Sequence, residues 1–383
     1  MTKERETNMG FFTRKKEAVE NIKKIIEPDI QIMMLGSRRV GKTSILASMT
    51  REFNKVTKGT KLVLTSDGNT TTINEASDNM KNYFKRPHKP LEEYKMDENA
   101  TKSFVNYDVS IDISGRQRSV RPKKIRFKDC AGEWIKYAEK NQEEMGNTIE
   151  ESSVIIIAID SVLMMEKNGF YNKQNNMDNV TNFIKKYMRP GELVNGEKMV
   201  LFVPLKCEKY YYQDKDANSK YFGKRMKELN DCVKENYSEL LAYLCNEGNR
   251  RYFTVAIMPI LTLGGLEFDH FENIEGAAEE LTSDNMVYTY RGKGEDVYNP
   301  LFCEQPLVYS LLYEQEKIYS DYYSKSYNSE GKLKMSAKLK NWYYEKKNWA
   351  TDSDFDKELD ELKKNYRKGN NSYVEVIQGA FVK

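Results

Sequence analysis

The sequence predicts an α/β protein with a mainly parallel sheet covered by helices on both faces. Three observations predict it. Short apolar runs alternate with amphipathic segments from Asp29 to Ile260. The clearest runs, Ser153 to Ile159 (SVIIIAI) and Met199 to Val203 (MVLFV), are apolar almost throughout, as strands buried on both faces are. Between Asp29 and Phe53, a buried run, a glycine-containing loop and a helical pattern follow one another directly.

In chain order, Thr13 to Ile26 places Ala18, Val19, Ile22, Ile25 and Ile26 at helical spacing, with Pro28 closing the segment. Asp29 to Leu35 (DIQIMML) reads as a buried strand. Lys42 to Phe53 reads as a helix with Ile45, Leu46, Met49 and Phe53 on one face. Asn54 to Ala100 is polar and carries Pro87 and Pro90, so it reads as a long insertion, helical near Asn74 to Tyr83. Ser103 to Ile113 alternates apolar and polar residues. Lys123 to Lys128 follows a turn near Gly115, and the two form an expected antiparallel pair. Asp178 to Met188 and Tyr221 to Asn246 read as helices, the second as one long amphipathic helix, and Tyr252 to Ile260 as a strand.

Beyond Gly264 charge and tyrosine dominate. Leu307 to Tyr319 and Ser336 to Trp349 read as helices and Ser372 to Ile377 as a last strand. The expected organisation is an N-terminal helix over 1–28, an α/β domain over 29–265 with an insertion at about 54–100, and a helical C-terminal extension over 266–383 packed on it. Trp342, Tyr343, Tyr344 and Trp349 lie together in that extension. Packing on the domain body is one reading of them and a partner surface the other.

Composition excludes several function classes. The 383 residues hold 39% hydrophobic and 31% charged residues, which suits a globular chain. Lys plus Arg number 61 and Asp plus Glu 58, and a net charge of +3 gives no footprint for nucleic acid or membrane. No apolar run approaches the ~18 residues of a membrane span. Met1 to Gly10 lacks a signal-peptide core. Five cysteines without a CxxC pair suit reduced thiols and a cytoplasmic protein. Two histidines leave little for a His-based triad or metal site, and phosphate chemistry needs none.

The strongest motif is GSRRVGKTS, Gly36 to Ser44, which satisfies G-x-x-x-x-G-K-[ST]. Backbone N–H groups along Gly36, Ser37, Arg38, Arg39, Val40 and Gly41 would wrap phosphate oxygens, with glycine where a Cβ would collide. Lys42 supplies a cation to the β and γ oxygens. Thr43 offers Mg²⁺ a hydroxyl, and the helix beginning at Lys42–Ser44 points its positive end at the phosphates. This predicts the P-loop NTPase fold. Asp129 to Glu133 reads DCAGE directly after a strand. Asp129 is the expected Mg²⁺ partner, and Gly132 brings a backbone N–H toward a γ-phosphate. An ordinary strand-to-helix turn with an Asp cap is the alternative.

Gly36 to Thr43 together with Asp129 to Gly132 resembles the first and third motifs of TRAFAC-class, Ras-like GTPases. The resemblance implies GTP/GDP and Mg²⁺ as cofactors, and a switch whose loops are ordered by the γ-phosphate. It implies a Mg²⁺-binding threonine before the first hairpin strand, where Thr101 stands and Thr70, Thr71 and Thr72 compete. It implies a base motif after a buried strand, here VPLKCE. Lys206 matches the lysine packed along the base, and Glu208 stands for the usual aspartate. A carboxylate there accepts guanine N1–H and N2–H₂; an exposed Lys/Glu pair is the alternative. Thr262 to Gly265 (TLGG) falls at the last base-contacting loop, or is a plain turn.

Two positions depart from the family. Glu133 replaces the glutamine that orients the attacking water, and Arg38 stands where many relatives have glycine. Arg38 is either an arginine finger supplied in cis or a solvent-facing side chain like Arg39. Glu133, Arg38 and Lys42 are the candidate catalytic residues. The Lys-Cys-Glu motif, Met258 to Gly265 (MPILTLGG) and Cys303 to Tyr309 (CEQPLVY) are similar to double-GTPase-like proteins of bacterial conflict systems, which implies a protein partner in a defence or stress module. Three functions stand: a slow GTPase switch, a nucleotide-loaded scaffold, and an ATP-binding protein.

Overall fold

The computed structural model describes residues 29–66, 78, 93–95, 105–115, 122–132, 134–137, 139–193, 196–273, 281, 286–292, 298–326, 355–364 and 373–379. The helices expected over Thr13 to Ile26 and Ser336 to Trp349, most of the one near Asn74 to Tyr83, and the site residues Thr101 and Glu133 lie outside them.

The strands are β1 (Ile30–Leu35), β2 (Leu62–Ser66), β3 (Glu93–Lys95), β4 (Val105–Ile113), β5 (Lys123–Asp129), β6 (Val154–Asp160), β7 (Lys198–Leu205), β8 (Phe253–Ile257), β9 (Leu266–Asn273), β10 (Met286–Gly292) and β11 (Glu375–Gln378). The helices that position the site are α1 (Lys42–Val56), α2 (Trp134–Tyr137), α3 (Glu139–Glu151), α4 (Ser161–Met165), α5 (Met177–Tyr187), α6 (Glu208–Lys215), α7 (Arg225–Asn236), α8 (Ser238–Cys245) and α9 (Gln305–Ser326).

Eight strands form one sheet in the order β11-β8-β7-β6-β1-β5-β4-β2. The pairs from β5 through β1, β6 and β7 to β8 are parallel. β4 pairs antiparallel with both β5 and β2, and β11 antiparallel with β8. The expected hairpin of β4 and β5 is present, with Val105 opposite Asp129 and Ile111 opposite Lys123.

β1 shows why helices must cover both faces. Its side chains alternate across the sheet. Ile32 and Met34 join a core with Ile45, Leu46, Met49 and Phe53 of α1 and Leu307, Val308 and Leu311 of α9. Met33 and Leu35 join the opposite core with Met145 and Ile149 of α3, Phe183 and Ile184 of α5, and Val233 of α7. β6 (VIIIAID) is buried at every residue, the burden of a central strand. A helix over 355–364 adds Phe355, Leu359 and Leu362 to the first core.

Three sequence expectations change. The long helix over Tyr221 to Asn246 is two helices, broken where Tyr237 leaves helical geometry and buries its ring against Phe202, centroids 5.2 Å apart. β2 lies inside the stretch read as an irregular insertion. It is an edge strand that buries Leu62 and leaves Val63 40% exposed, so its apolar signal is thin. Beyond Gly264, where two helices and one last strand were expected, β9 and β10 are also present and form a second, three-stranded antiparallel sheet, β3-β10-β9. Only the first half of β9 is buried, so its pattern fades into charge after Phe268.

Candidate functional site

The carboxyl ends of four neighbouring strands converge on one region, the usual ligand side of an open parallel sheet. Leu35, Asp129, Asp160 and Leu205 are the last residues of β1, β5, β6 and β7. β1 lies between β5 and β6, and the loop after it occupies the centre.

That loop is tightly built. Gly36 has φ 146°, and a Cβ there would lie 2.7 Å from the Ala158 carbonyl oxygen. Gly41 has φ 111° and starts α1 with no side-chain cap, so the helix turns its first backbone N–H groups toward the loop. Arg39 takes the left-handed region at φ 62°. Val40 is buried, Arg38 and Arg39 are partly exposed, and Ser44 at the start of α1 accepts the Ser48 hydroxyl at its carbonyl, 2.8 Å. The Lys42 ammonium donates to the carbonyls of Gly36 and Ser37, both at 3.1 Å, and lies 4.0 Å from Asp129 Oδ1. Its charge is thus held across the mouth of the loop rather than extended into solvent.

Asp129 is fully buried, and the Thr43 hydroxyl donates to its Oδ2 at 3.4 Å. Tyr107 on β4 joins this corner. Burial and the nearby Asp129 carboxylate push its phenol up to about 12, against a hydrogen bond with Thr43. The residues fit a magnesium ion by donor chemistry: a hydroxyl and a carboxylate are hard oxygen donors, and such an ion commonly takes one or two protein oxygens with phosphate and water completing its shell. Gly132 presses on the loop from β5. A Cβ at Gly132 would fall 2.2 Å from Arg38 N and 2.4 Å from the Ser37 carbonyl carbon, so only glycine permits this approach.

A second segment clasps the loop from the opposite side. Ser37 donates its hydroxyl to the Gln174 carbonyl at 2.6 Å and accepts the Asn176 amide at 2.8 Å. Asn175 binds the Asp160 backbone at both its amide and its carbonyl. Lys167, Asn168 and Asn176 take positive φ in this stretch, as does Gly169, a dense set of left-handed turns in which three of the four residues are not glycine.

The end formed by β7 and the loop after β8 is also closed-packed. Lys206, with φ 59°, donates to Asp160 Oδ2 at 2.8 Å and to the Arg39 carbonyl at 3.3 Å. Its ammonium lies 3.7 Å from the centroid of the Tyr288 ring. Glu208, 1% exposed at the start of α6, accepts backbone N–H groups from Leu263 at 2.7 Å and Gly264 at 3.2 Å. Burial pushes its carboxyl up to about 7, against these N–H groups and Lys206. The Thr262 carbonyl accepts the Ser48 hydroxyl at 3.3 Å, which ties this loop to α1.

The structure therefore brings Gly36 through Ser44, Asp129, Gly132, Lys206, Glu208 and Thr262 to one edge of the sheet. Sequence reading missed Asp160, Tyr288, Tyr107 and the Asn175–Asn176 pair. Asp160 had a signal, an acid ending the clearest buried strand. Tyr288 had none, being one of many tyrosines in a stretch without a pattern.

No family model matches the sequence, and no curated protein matches it significantly. Among solved structures it is similar to LeoA, a bacterial dynamin GTPase from ETEC, at 12% identity and a TM-score of 0.34, over 65% of this chain and 32% of that one. It is also similar to the Ski7 GTPase-like domain of S. cerevisiae. The form bound to GDP and inorganic phosphate gives 12% identity and a TM-score of 0.30, over 61% of this chain and 43% of that one. The form bound to GTP gives 13% and 0.30, over 73% and 50%. The chain thus spans a third to a half of the length of these structures.

Proposed function

We propose that this chain binds a guanine nucleotide with Mg²⁺ and hydrolyses GTP slowly, as a switch read by a protein partner. The observation that carries this reading is the meeting of Lys42, Thr43 and Asp129 beneath a glycine-bounded loop at the carboxyl end of β1. The loop amides and the N-terminus of α1 take the phosphate oxygens, and Lys42 neutralises charge between the β and γ positions. Thr43, Asp129 and Thr101 are the residues that would hold Mg²⁺, which when bound would offset charge on the phosphates.

In hydrolysis, water attacks the γ-phosphorus and the bond to the β–γ bridging oxygen breaks, releasing GDP. Glu133 takes the role of the residue that orients the attacking water, as the sequence resemblance implies, and Gly132 offers its N–H to the γ-phosphate. Arg38 supplies a guanidinium to the charge that develops there. Lys206, Glu208 and the Thr262–Gly264 turn take the base. The resemblance to conflict-system proteins supports a place in a bacterial defence or stress module, and five free thiols support a reducing cytoplasm.

One observation favours a second reading. Glu208 spends hydrogen-bonding capacity on Leu263 and Gly264, which weakens discrimination between bases and leaves room for ATP. Displacement of a fluorescent guanine nucleotide separates the two. GDP competing at least about tenfold better than ATP supports guanine selection through a buried carboxylate. Equal competition overturns it.

A further inference from the structure

We infer that Tyr288 is a positioning residue for the nucleoside half of the ligand, delivered to the phosphate-binding domain by the second sheet. The inference rests on the nucleotide reading above and adds a determinant of binding that lies outside every motif of the sequence.

Lys206 belongs to β7's carboxyl end, yet three groups from three other elements fix its ammonium. Asp160 Oδ2 from β6 accepts at 2.8 Å and the Arg39 carbonyl from the phosphate loop at 3.3 Å. The Tyr288 ring from β10 lies 3.7 Å away, within cation–π range. The Tyr288 hydroxyl closes the arrangement by donating to the same Asp160 Oδ2 at 2.9 Å. All three side chains are buried: Asp160 is 1%, Tyr288 6% and Lys206 7% exposed. A buried ion pair holds its geometry when the remaining lone pairs and protons are satisfied, and Tyr288 provides part of that satisfaction from both its ring and its hydroxyl.

Asp160 itself is held from the other side. Its Oδ1 accepts the N–H groups of Val162 and Leu163 at the start of α4. The carboxylate cannot follow Lys206 if the lysine swings, so Tyr288 and Asp160 together leave Lys206 one orientation. A lysine otherwise has many rotamers, and ordering it before the ligand arrives removes that cost from binding. Tyr288 is in turn seated by the small sheet and its aromatic packing, with Phe268 at 6.1 Å and Phe271 at 5.2 Å between centroids. The Lys42 bonds to the Gly36 and Ser37 carbonyls do not involve Tyr288 or Asp160, and Lys206 touches the loop at the Arg39 carbonyl, two residues further along. Tyr288 should therefore govern affinity for a nucleoside phosphate and leave affinity for bare phosphate chains unchanged.

The test is calorimetric titration of the full chain with Mg·GTP and, separately, with Mg·tripolyphosphate. Wild type, Tyr288→Phe and Tyr288→Leu are compared, with thermal melts confirming that each is folded. Tyr288→Leu should weaken Mg·GTP about tenfold or more and change Mg·tripolyphosphate by less than about twofold. Tyr288→Phe keeps the ring and loses the donor to Asp160, so it should show a smaller loss, about threefold, for Mg·GTP alone. If Leu does not fold, the Phe variant decides by the same split. Unchanged Mg·GTP affinity, or equal loss for both ligands, overturns the assignment. A wild type that binds tripolyphosphate but gains nothing from the nucleoside also overturns it. A wild type that binds neither ligand overturns the nucleotide reading itself.

Discussion

Thr43 Oγ1 lies 3.4 Å from Asp129 Oδ2, although 86 positions separate the two residues in the chain. The pairing of β1 with β5, which sets Met34 opposite Asp129, brings the two motifs to a common edge. If this corner holds Mg²⁺, Asp129→Asn should raise the Mg²⁺ concentration for half-maximal GTP binding by about tenfold or more. A Mg²⁺ titration monitored with a fluorescent GTP analogue measures it. An unchanged midpoint would remove Asp129 from the metal site.

Gly132 makes a second, steric prediction. Its virtual Cβ meets backbone atoms of Ser37 and Arg38, not the far end of a flexible side chain. Gly132→Ala must therefore push the phosphate loop and the β5 turn apart. Overpacking of this kind costs about 1–3 kcal/mol in stability. Under the proposed function, in which the Gly132 N–H meets the γ-phosphate, it should also weaken GTP more than GDP. Melting temperature and the ratio of the two dissociation constants report both effects; a variant with unchanged values of each would contradict the close approach.

Glu208 makes stability depend on pH. Its carboxyl is raised from 4.5 in the unfolded chain to about 7 in the folded one. Below pH 4.5 both states hold the proton. Between 4.5 and about 7 the folded state holds it and the unfolded state does not, so the contribution to stability is lost as pH rises through this window. Glu208→Gln does not titrate and retains an acceptor for Leu263 and Gly264. Its stability relative to wild type should grow by up to about 3 kcal/mol from pH 4.5 to pH 8. Urea unfolding at the two pH values tests the sign, and a constant difference would show that the carboxyl titrates near its ordinary value.

Under the proposed function, the turnover rate depends on Glu133 and Arg38. A carboxylate beside a γ-phosphate meets like charge and positions water poorly unless its pKa is raised. On that reading Arg38 would act in the opposite direction, by stabilising charge in the transition state. Single-turnover hydrolysis should be as fast or faster in Glu133→Gln and slower in Arg38→Ala. Complete loss of activity in Glu133→Gln would identify the carboxylate as a general base.

How much was legible in the sequence follows from the range of the interactions. Gly36, Gly41, Lys42 and Thr43 could be singled out because G-x-x-x-x-G-K-[ST] fixes residue types at set spacing within nine positions, and the strand–loop–helix context it requires is present. Asp129 was readable because it ends a strand. Glu208 could be singled out as a carboxylate following a buried strand, but neither its burial nor its partners were readable. Glutamate is one methylene longer than aspartate, and here its carboxylate is bonded to the Leu263 and Gly264 amides. The joining of Asp160, Lys206 and Tyr288 into one cluster was not readable, although Lys206 and Asp160 each carried a local signal. It depends on a second sheet assembled from 93–95, 266–273 and 286–292, in which β9 and β10 are buried along only part of their length and β9 is rich in charge. The edge strand β2 escaped for the same reason, since a strand with one neighbour and one covered face leaves little apolar pattern.

The most direct test of the account is calorimetric titration of Mg·GTP into wild type and Lys42→Ala, with thermal melts showing both chains folded. The Lys42 ammonium spans the Gly36 and Ser37 carbonyls at the mouth of the loop, where phosphate oxygens would meet it. The account predicts one site in wild type and affinity at least about 100-fold weaker in Lys42→Ala, from loss of charge-assisted bonds worth about 1.5–3 kcal/mol each. Wild-type affinity in the variant, or no binding of any nucleoside triphosphate to the wild type, would contradict it.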